Sequence, residues 1–494
     1  MKILMVSAEA VPFAKTGGLA DAVSALAGSL SSLGHDVRIV MPRYYKIDRR
    51  NLRKLEGPLG VPVGLGQEWT AVYTAPLPGF EKVSVYFLDH ENCFGRDGVY
   101  GTKSEPDFFD NPYRFSLLCH GALQVCNKLG WYPDIVHAHD WSAGLAPVLV
   151  KHVCRSQNAF KNTASVFTIH NMGYQGVYGK EKFNDLGIDW SLYYGAGFER
   201  NGDINFLQAG ISSADMVTTV SPTYANEIQT PEGGFGLDGL LRVRRDVVKG
   251  IVNGVDTEIW NPEKDKNLPA NYSSRDLSGK AVCKKALQEY FGLPVRKDVP
   301  LIAMIGRLVS QKGIAEVLAP NYGCLWGICT SMDVQFVLLG SGERWAEDEI
   351  NSLQSKLPNF RAKIGYNEKL SHLMEAGADF FLMPSQYEPC GLNQMYSELY
   401  GTLPIVRRTG GLADTVQNYN QQTGEGTGFM FDSLTPQAIY DTVGWAVYAY
   451  YNKKNHIAEM QKRAMEQDFT WTNSCRHYEK VYREALLRGC GITL

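Results

Sequence analysis

The sequence is short of several things at once. Its 494 residues hold 10 cysteines but no C-x-x-C pair, too few and too badly spaced for a disulfide scaffold or a zinc site. Free thiols in a reducing compartment are the reading that remains. No apolar run is long enough to cross a bilayer. Basic residues are not in excess: 49 Lys and Arg stand against 52 Asp and Glu, a formal net charge of -3. That balance argues against a nucleic-acid binder and leaves room for a neutral polymer such as a polysaccharide. No charged n-region or cleavage site precedes the first strand-like run, Lys2-Ile3-Leu4-Met5-Val6. No signal peptide is expected, and the expected location is the cytoplasm, or a plastid for a mature form whose transit peptide has been removed.

What is present is an ordinary globular composition, 44% hydrophobic and 20% charged, at a length that suits two or three domains. Ile3 to Val6 reads as a short buried strand. A turn follows at Lys15-Thr16-Gly17-Gly18, and then Leu19, Val23, Leu26, Leu30 and Leu33 recur at helical spacing up to Gly34. Val37 to Met41 supplies the next strand. Strand, glycine turn, helix and strand make the right-handed crossover of a parallel sheet. Further apolar runs lie at 134–136, 165–169, 216–220, 301–305, 335–339, 380–383 and 403–406. Most are continuous rather than alternating, as strands covered on both faces are. The fold class is α/β, doubly wound.

Lys15-Thr-Gly-Gly-Leu-Ala-Asp21 is nearly repeated as Arg408-Thr-Gly-Gly-Leu-Ala-Asp414. Two copies, each between a strand and a helix, predict two Rossmann-like domains facing a cleft. Ile251-Val-Asn-Gly-Val-Asp256 reads as the hinge. The expected division is 1–250, with a helix over 472–494 packing back on it, and 251–471.

Ligands of open parallel sheets bind beyond the carboxyl ends of the strands. Polar residues stand at that place again and again. His137, His139 and Asp140 follow one run, and His170 and Asn171 another. Arg307 with Lys312, Gly340-Ser-Gly342, Glu388-Pro-Cys-Gly391 and Arg407 to Gly411 follow others. Such an edge suits a leaving diphosphate. Arg307 and Lys312 would supply cations, and the Thr409-Gly410-Gly411 turn would offer backbone N–H groups to a phosphate. Asp140, His170 and Glu388 would hydrogen-bond sugar hydroxyls. Plainer readings stay open for each piece. A T-G-G turn is often only a tight connection, Arg307 and Lys312 could pair with surface carboxylates, and Glu388 could simply favour a helix N-terminus. Cys390 is more often a small buried residue than a nucleophile. His137-x-His139-Asp140 hints at a metal, but no third ligand cluster accompanies it, so none is expected. Gly340-x-Gly342 lacks the third glycine of a dinucleotide fingerprint.

Taken jointly, these stretches resemble the bacterial glycogen synthases and plant starch synthases. The matching motifs are K-T-G-G-L-A-D at 15–21, H-A-H-D-W at 137–141, T-I-H-N at 168–171, I-V-N-G-V-D at 251–256, G-R-L-x-x-Q-K-G at 306–313, E-P-C-G-L at 388–392 and R-R-T-G-G-L-A-D-T-V at 407–416. They run in family order along almost the whole chain. The resemblance implies a GT-B fold with an N-terminal acceptor and catalytic domain and a C-terminal nucleotide-sugar-binding domain. It also implies retaining transfer of glucose from ADP-glucose to an α-1,4-glucan, with no metal or other cofactor. His170, Arg307, Lys312, Glu388 and Asp140 are the catalytic positions it implies. Lys15, Gly17, Gly18, Asp21, Asn171, Asn253, Cys390, Gly391, Leu392, Thr409, Gly410 and Gly411 are its donor contacts. The implied partners are the nucleotide sugar and the glucan, not nucleic acid or membrane.

Two positions depart from the pattern. Tyr396 stands where many related retaining transferases carry a second Glu, and Ser142 where bacterial relatives often carry a larger polar residue. The alternatives are a transferase using UDP-glucose or another acceptor, and a non-catalytic glucan-binding scaffold.

Overall fold

Runs of β-branched and aliphatic residues with no polar face can be satisfied only by burial on both sides, and they form the centre of each sheet. A computed structural model describes residues 1–493. The chain divides into two units, one made of Met1–Gly254 with the chain from Trp471 onward, the other of Val255–Thr470. The division falls at Gly254/Val255 and Thr470/Trp471, a few residues from the expected hinge edges, because the I-V-N-G run still belongs to the first unit.

The first unit contains, in chain order, β1 (Lys2–Val6), β2 (Asp36–Pro42), β3 (Arg53–Lys54), β4 (Leu59–Val63), β5 (Gly66–Leu77), β6 (Phe80–Asp89), β7 (Ile135–His139), β8 (Ala164–Ile169), β9 (Val177–Tyr178), β10 (Glu199–Arg200), β11 (Asp203–Asn205), β12 (Met216–Thr219) and β13 (Val248–Gly250). The main sheet has ten strands in the order β13-β12-β8-β7-β1-β2-β6-β5-β3, with β4 paired to β5, and β10-β11-β9 form a small separate sheet. From β13 to β6 all pairings are parallel, while β3, β4 and β6 meet β5 antiparallel. The antiparallel extension was not expected. Its strands carry polar residues on one face, in the burial pattern eeieBiBiBieB along β5, and so lack the continuous apolar signature.

The helix Gly18–Ser32 buries Leu19, Val23, Leu26 and Leu30, the stripe its sequence spacing describes. The long helix Trp471–Cys490 joins this unit's core through Trp471, Cys475, Tyr478 and Tyr482.

The second unit contains β14 (Leu301–Leu308), β15 (Gln335–Gly342), β16 (Phe360–Ile364), β17 (Phe380–Met383), β18 (Leu403–Arg407) and β19 (Phe429–Phe431). They form one parallel sheet in the order β16-β15-β14-β17-β18-β19. Its two faces carry separate apolar clusters, one around Phe336 and Phe380, the other around Val337 and Phe381. Four expected placements are corrected. Arg307, Gly340-Ser-Gly342 and the pair His137 and His139 lie inside their strands, not after them, and so does Arg407, the last residue of β18 and paired with Phe431. Pairing continues to them, with Arg307 opposite Ser341 and His139 opposite Thr168. Among the described residues no helix is long and apolar enough to cross a membrane.

Candidate functional site

In the first unit, parallel strands deliver the expected residues to their carboxyl ends. The K-T-G-G loop lies between β1 and the helix Gly18–Ser32. Lys15 Nζ pairs with Asp21 at 2.8 Å, with both side chains partly exposed. The Glu9 carboxylate anchors the loop by accepting the Thr16 hydroxyl at 2.7 Å, the Thr16 amide, and the Tyr100 hydroxyl at 2.8 Å. A Cβ built on Gly17 or Gly18 would meet no atom within 4 Å. These glycines are therefore not demanded by packing, and the space before the helix N-terminus lies open to an incoming group.

The H-A-H-D-W and T-I-H-N segments meet at the ends of β7 and β8. Asp140 sits at φ +58, an uncommon conformation for a residue with a side chain. Its carboxylate accepts the His170 backbone N–H at 2.7 Å. Burial pushes the Asp140 carboxyl up to about 7, against the pull of the His170 and Asn171 amides. Asn171 Oδ1 accepts the Gly173 amide at 2.8 Å and so shapes the turn. His170 is half-buried, and its Nε2 lies 3.1 Å from His139 Nδ1. Burial lowers His170 and His137 to about 3, so these imidazoles are neutral near pH 7. Tyr100 links the two regions: its hydroxyl holds Glu9, and its ring lies 5.8 Å from that of Trp141. Asn253 was expected in the second domain; it belongs to the first unit, buried, with Oδ1 lacking a protein partner. Ser142 is fully buried, so its side chain offers nothing to a surface-bound chain.

In the second unit, Arg307 emerges exposed at the end of β14, with one weak contact to Gln311 Oε1 at 3.4 Å. Lys312 Nζ bonds Glu388 Oε2 at 2.5 Å, and the Ser385 hydroxyl donates to the same oxygen at 2.9 Å. Glu388 is only 6% exposed, so Lys312 compensates a nearly buried carboxylate. Arg307, Lys312 and Glu388 thus gather at one sheet edge. The E-P-C-G-L turn carries Gly391 at φ +72 and leads through Leu392 into the helix Asn393–Leu399. Gln394 Nε2 ties this turn down, donating to the carbonyls of Cys390 at 3.0 Å and Gly391 at 3.1 Å. It also reaches the Thr415 hydroxyl at 3.1 Å.

The Thr409-Gly410-Gly411 turn packs directly on that loop. A Cβ on Gly410 would stand 1.9 Å from the Glu388 carbonyl oxygen, and one on Gly411 2.0 Å from that of Cys390. The turn was expected to offer its amides to a phosphate, and two of the three are engaged with protein carbonyls. The Gly411 N–H already donates to the Glu388 carbonyl at 3.0 Å, and the Thr409 N–H to that of Arg407 at 2.9 Å. Here glycine lets two loops touch. Tyr396, in the place of a second Glu, stacks on Trp260 with centroids 3.8 Å apart.

Glu9, Tyr100 and Gln394 were missed by sequence reasoning. Glu9 alone left a signal, as a lone acid inside the largely apolar stretch from Ile3 to Val11; the structure leaves it 2% exposed. No group of His, Cys, Asp and Glu among the described residues is arranged to hold a metal ion.

Residues 2–243 match the family model described as the starch synthase catalytic domain, and residues 288–464 that of glycosyl transferases group 1. The chain is 60% identical to a glycogen synthase of Treponema denticola over 98% of this chain and 99% of that one. It is 47% identical to glycogen synthase 1 of Geobacter metallireducens, over 99% of this chain and 97% of that one. The catalytic domain of starch synthase IV from Arabidopsis thaliana, bound to ADP and acarbose, superposes with a TM-score of 0.87 at 30% identity, covering 98% of this chain and 99% of that one.

Proposed function

This chain belongs to the glycogen and starch synthase family of glucosyltransferases with the two-domain GT-B fold, and on that premise we propose that it transfers glucose from ADP-glucose to the non-reducing end of an α-1,4-glucan with retention of configuration. The observation that carries the reading is the grouping of Arg307 with the Lys312–Glu388 pair at one sheet edge. Adenine as the base is supported by the related Arabidopsis enzyme, which was solved with ADP.

As the bond from anomeric carbon to phosphate oxygen stretches, negative charge grows on the leaving diphosphate. Two protein cations brought to it lower the barrier. Losing one would cost roughly 3–4 kcal/mol of transition-state stabilisation, by analogy with a lost oxyanion donor. In this reading no divalent metal is needed. Glu388, oriented by Lys312 and Ser385, accepts hydroxyls of the transferred glucose, while the Cys390-Gly391-Leu392 backbone follows its outline. Asp140, His170 and Asn171 serve sugar hydroxyls from the first unit, and Lys15 with the open Gly17-Gly18 turn serves the phosphate. No carboxylate is assigned as a covalent nucleophile, so retention is assigned to front-face attack by the acceptor hydroxyl. None of the ten cysteines is in a disulfide, which suits a reducing cytoplasm.

The test is incorporation of labelled glucose from ADP-glucose into maltoheptaose, with UDP-glucose in parallel and the new linkage assigned by NMR. α-1,4 elongation from ADP-glucose is expected. Absence of turnover with either donor, from folded protein, would refute the proposal.

A further inference from the structure

Behind the His170 ring lies a second imidazole that the proposed reaction does not use. His139, on β7, is 1% exposed. Its Nδ1 stands 3.1 Å from His170 Nε2. Its Nε2 is buried and has no hydrogen-bond partner among protein atoms. Its ring lies against that of His137, with centroids 4.1 Å apart. His137 is fully engaged, Nδ1 with the Tyr482 hydroxyl at 2.9 Å and Nε2 with the Thr168 hydroxyl at 2.6 Å, so it offers His139 nothing further.

A hydrogen bond between two neutral imidazoles holds one proton, and two arrangements are possible. In the first, His139 Nδ1–H donates to His170 Nε2. The buried His139 Nε2 is then a bare lone pair, and the proton of His170 sits on Nδ1. In the second, His170 Nε2–H donates to His139 Nδ1, which puts the proton of His139 on Nε2 and leaves that N–H buried without an acceptor. Orphaned buried N–H groups are rarer in folded proteins than under-satisfied acceptors, so the first arrangement is favoured. Burial lowers His139 well below the ordinary imidazole value, which removes a doubly protonated ring as a third option.

We infer that His139 is a positioning residue that holds His170 as its Nδ1–H tautomer, so that the outward nitrogen of His170 acts as a hydrogen-bond donor to an oxygen of the bound sugar. Among the described residues no protein group bonds Nδ1 of the half-buried ring, and its inner nitrogen is fixed by His139. This rests on the reading of the His170 edge as a sugar site. The tautomer itself does not depend on that reading.

The experiment is joint neutron and X-ray diffraction of the deuterium-exchanged full chain. Deuterium on Nδ1 of both His139 and His170 is expected. Deuterium on Nε2 of either would overturn the assignment, whatever the enzyme's substrate. Two variants add the functional readout. His139→Asn places an amide donor near the lost Nδ1–H and should keep kcat/KM within about threefold, whereas His139→Leu should lower it by about tenfold or more, as wrong-tautomer variants do elsewhere. The leucine loss should come with an unchanged Tm. Equal losses in both variants would reduce His139 to packing and sink its role in catalysis, even with the tautomer as assigned.

Discussion

Asp140 shows how one residue can set the pH response of the site. Its carboxyl is raised to about 7 by burial, while the neighbouring His170 is lowered to about 3. No imidazole of this cluster therefore titrates between pH 5 and 8, and the carboxylate form of Asp140, which accepts hydrogen bonds, grows in as pH rises through about 7. The acid limb of kcat/KM should have its midpoint there, and Asp140→Asn should abolish the limb along with most of the activity. Glu398 gives the second prediction at this scale. It is fully buried, its carboxyl Oε1 accepts from the Thr427 hydroxyl at 3.0 Å, and burial drives its pKa well above the carboxylate range. Because the folded chain keeps a proton that the unfolded chain releases above about 4.5, stability falls as pH rises past that value. Glu398→Gln should therefore fold normally and gain on the wild type as pH increases from 5 to 8 in denaturant titrations. Glu398→Ala, which leaves a cavity and a hydroxyl donor without an acceptor, should lose roughly 2–4 kcal/mol. Lys312 and Glu388 were legible as residues because motifs hold them. Their mutual bond was not, since 76 positions separate them and only the sheet brings them together. Gln394 acts through bonds to two carbonyls and a hydroxyl and Tyr100 through one to a carboxylate, and no local pattern marks such partners.

The two T-G-G-L-A-D turns are nearly the same in sequence and differ as elements. Around Gly17 and Gly18 a Cβ would find open space, whereas at Gly410 and Gly411 it would strike the carbonyls of the E-P-C-G loop. Gly18→Ala should leave Tm unchanged or slightly raised, because alanine suits a helix start better than glycine. Any rise in donor KM would then report an approaching ligand, not the fold. Gly410→Ala, at φ +43, should push the two loops apart and lower kcat/KM by roughly tenfold or more, with Tm falling as well. The central parallel strands were legible from their continuous apolar runs. The β3–β6 extension was not, because an antiparallel edge with one solvated face shows only weak alternation over a long hairpin. Strand ends were also read short where polar residues such as His139 and Arg307 continue the pairing.

For the whole molecule, the repeated turn and the sheet order together give two α/β units with the chain terminus returned to the first. The helix Trp471–Cys490 belongs to that unit's core, and Tyr482 within it is fully buried and hydrogen-bonded to His137. Tyr482→Ala should cost roughly 3–5 kcal/mol, as large aromatic truncations do, read as a lower Tm, whereas Tyr482→Phe should lose only about 1 kcal/mol for the missing hydroxyl. At this scale the proposed reaction requires the departing diphosphate to be met by protein cations of the second unit. Calorimetric titration of ADP in the presence of EDTA tests it most directly. Binding should be unaffected by the chelator and weakened at least about tenfold by Arg307→Ala and by Lys312→Ala alike. Binding that vanishes with the chelator, or that both variants leave unchanged, would contradict it.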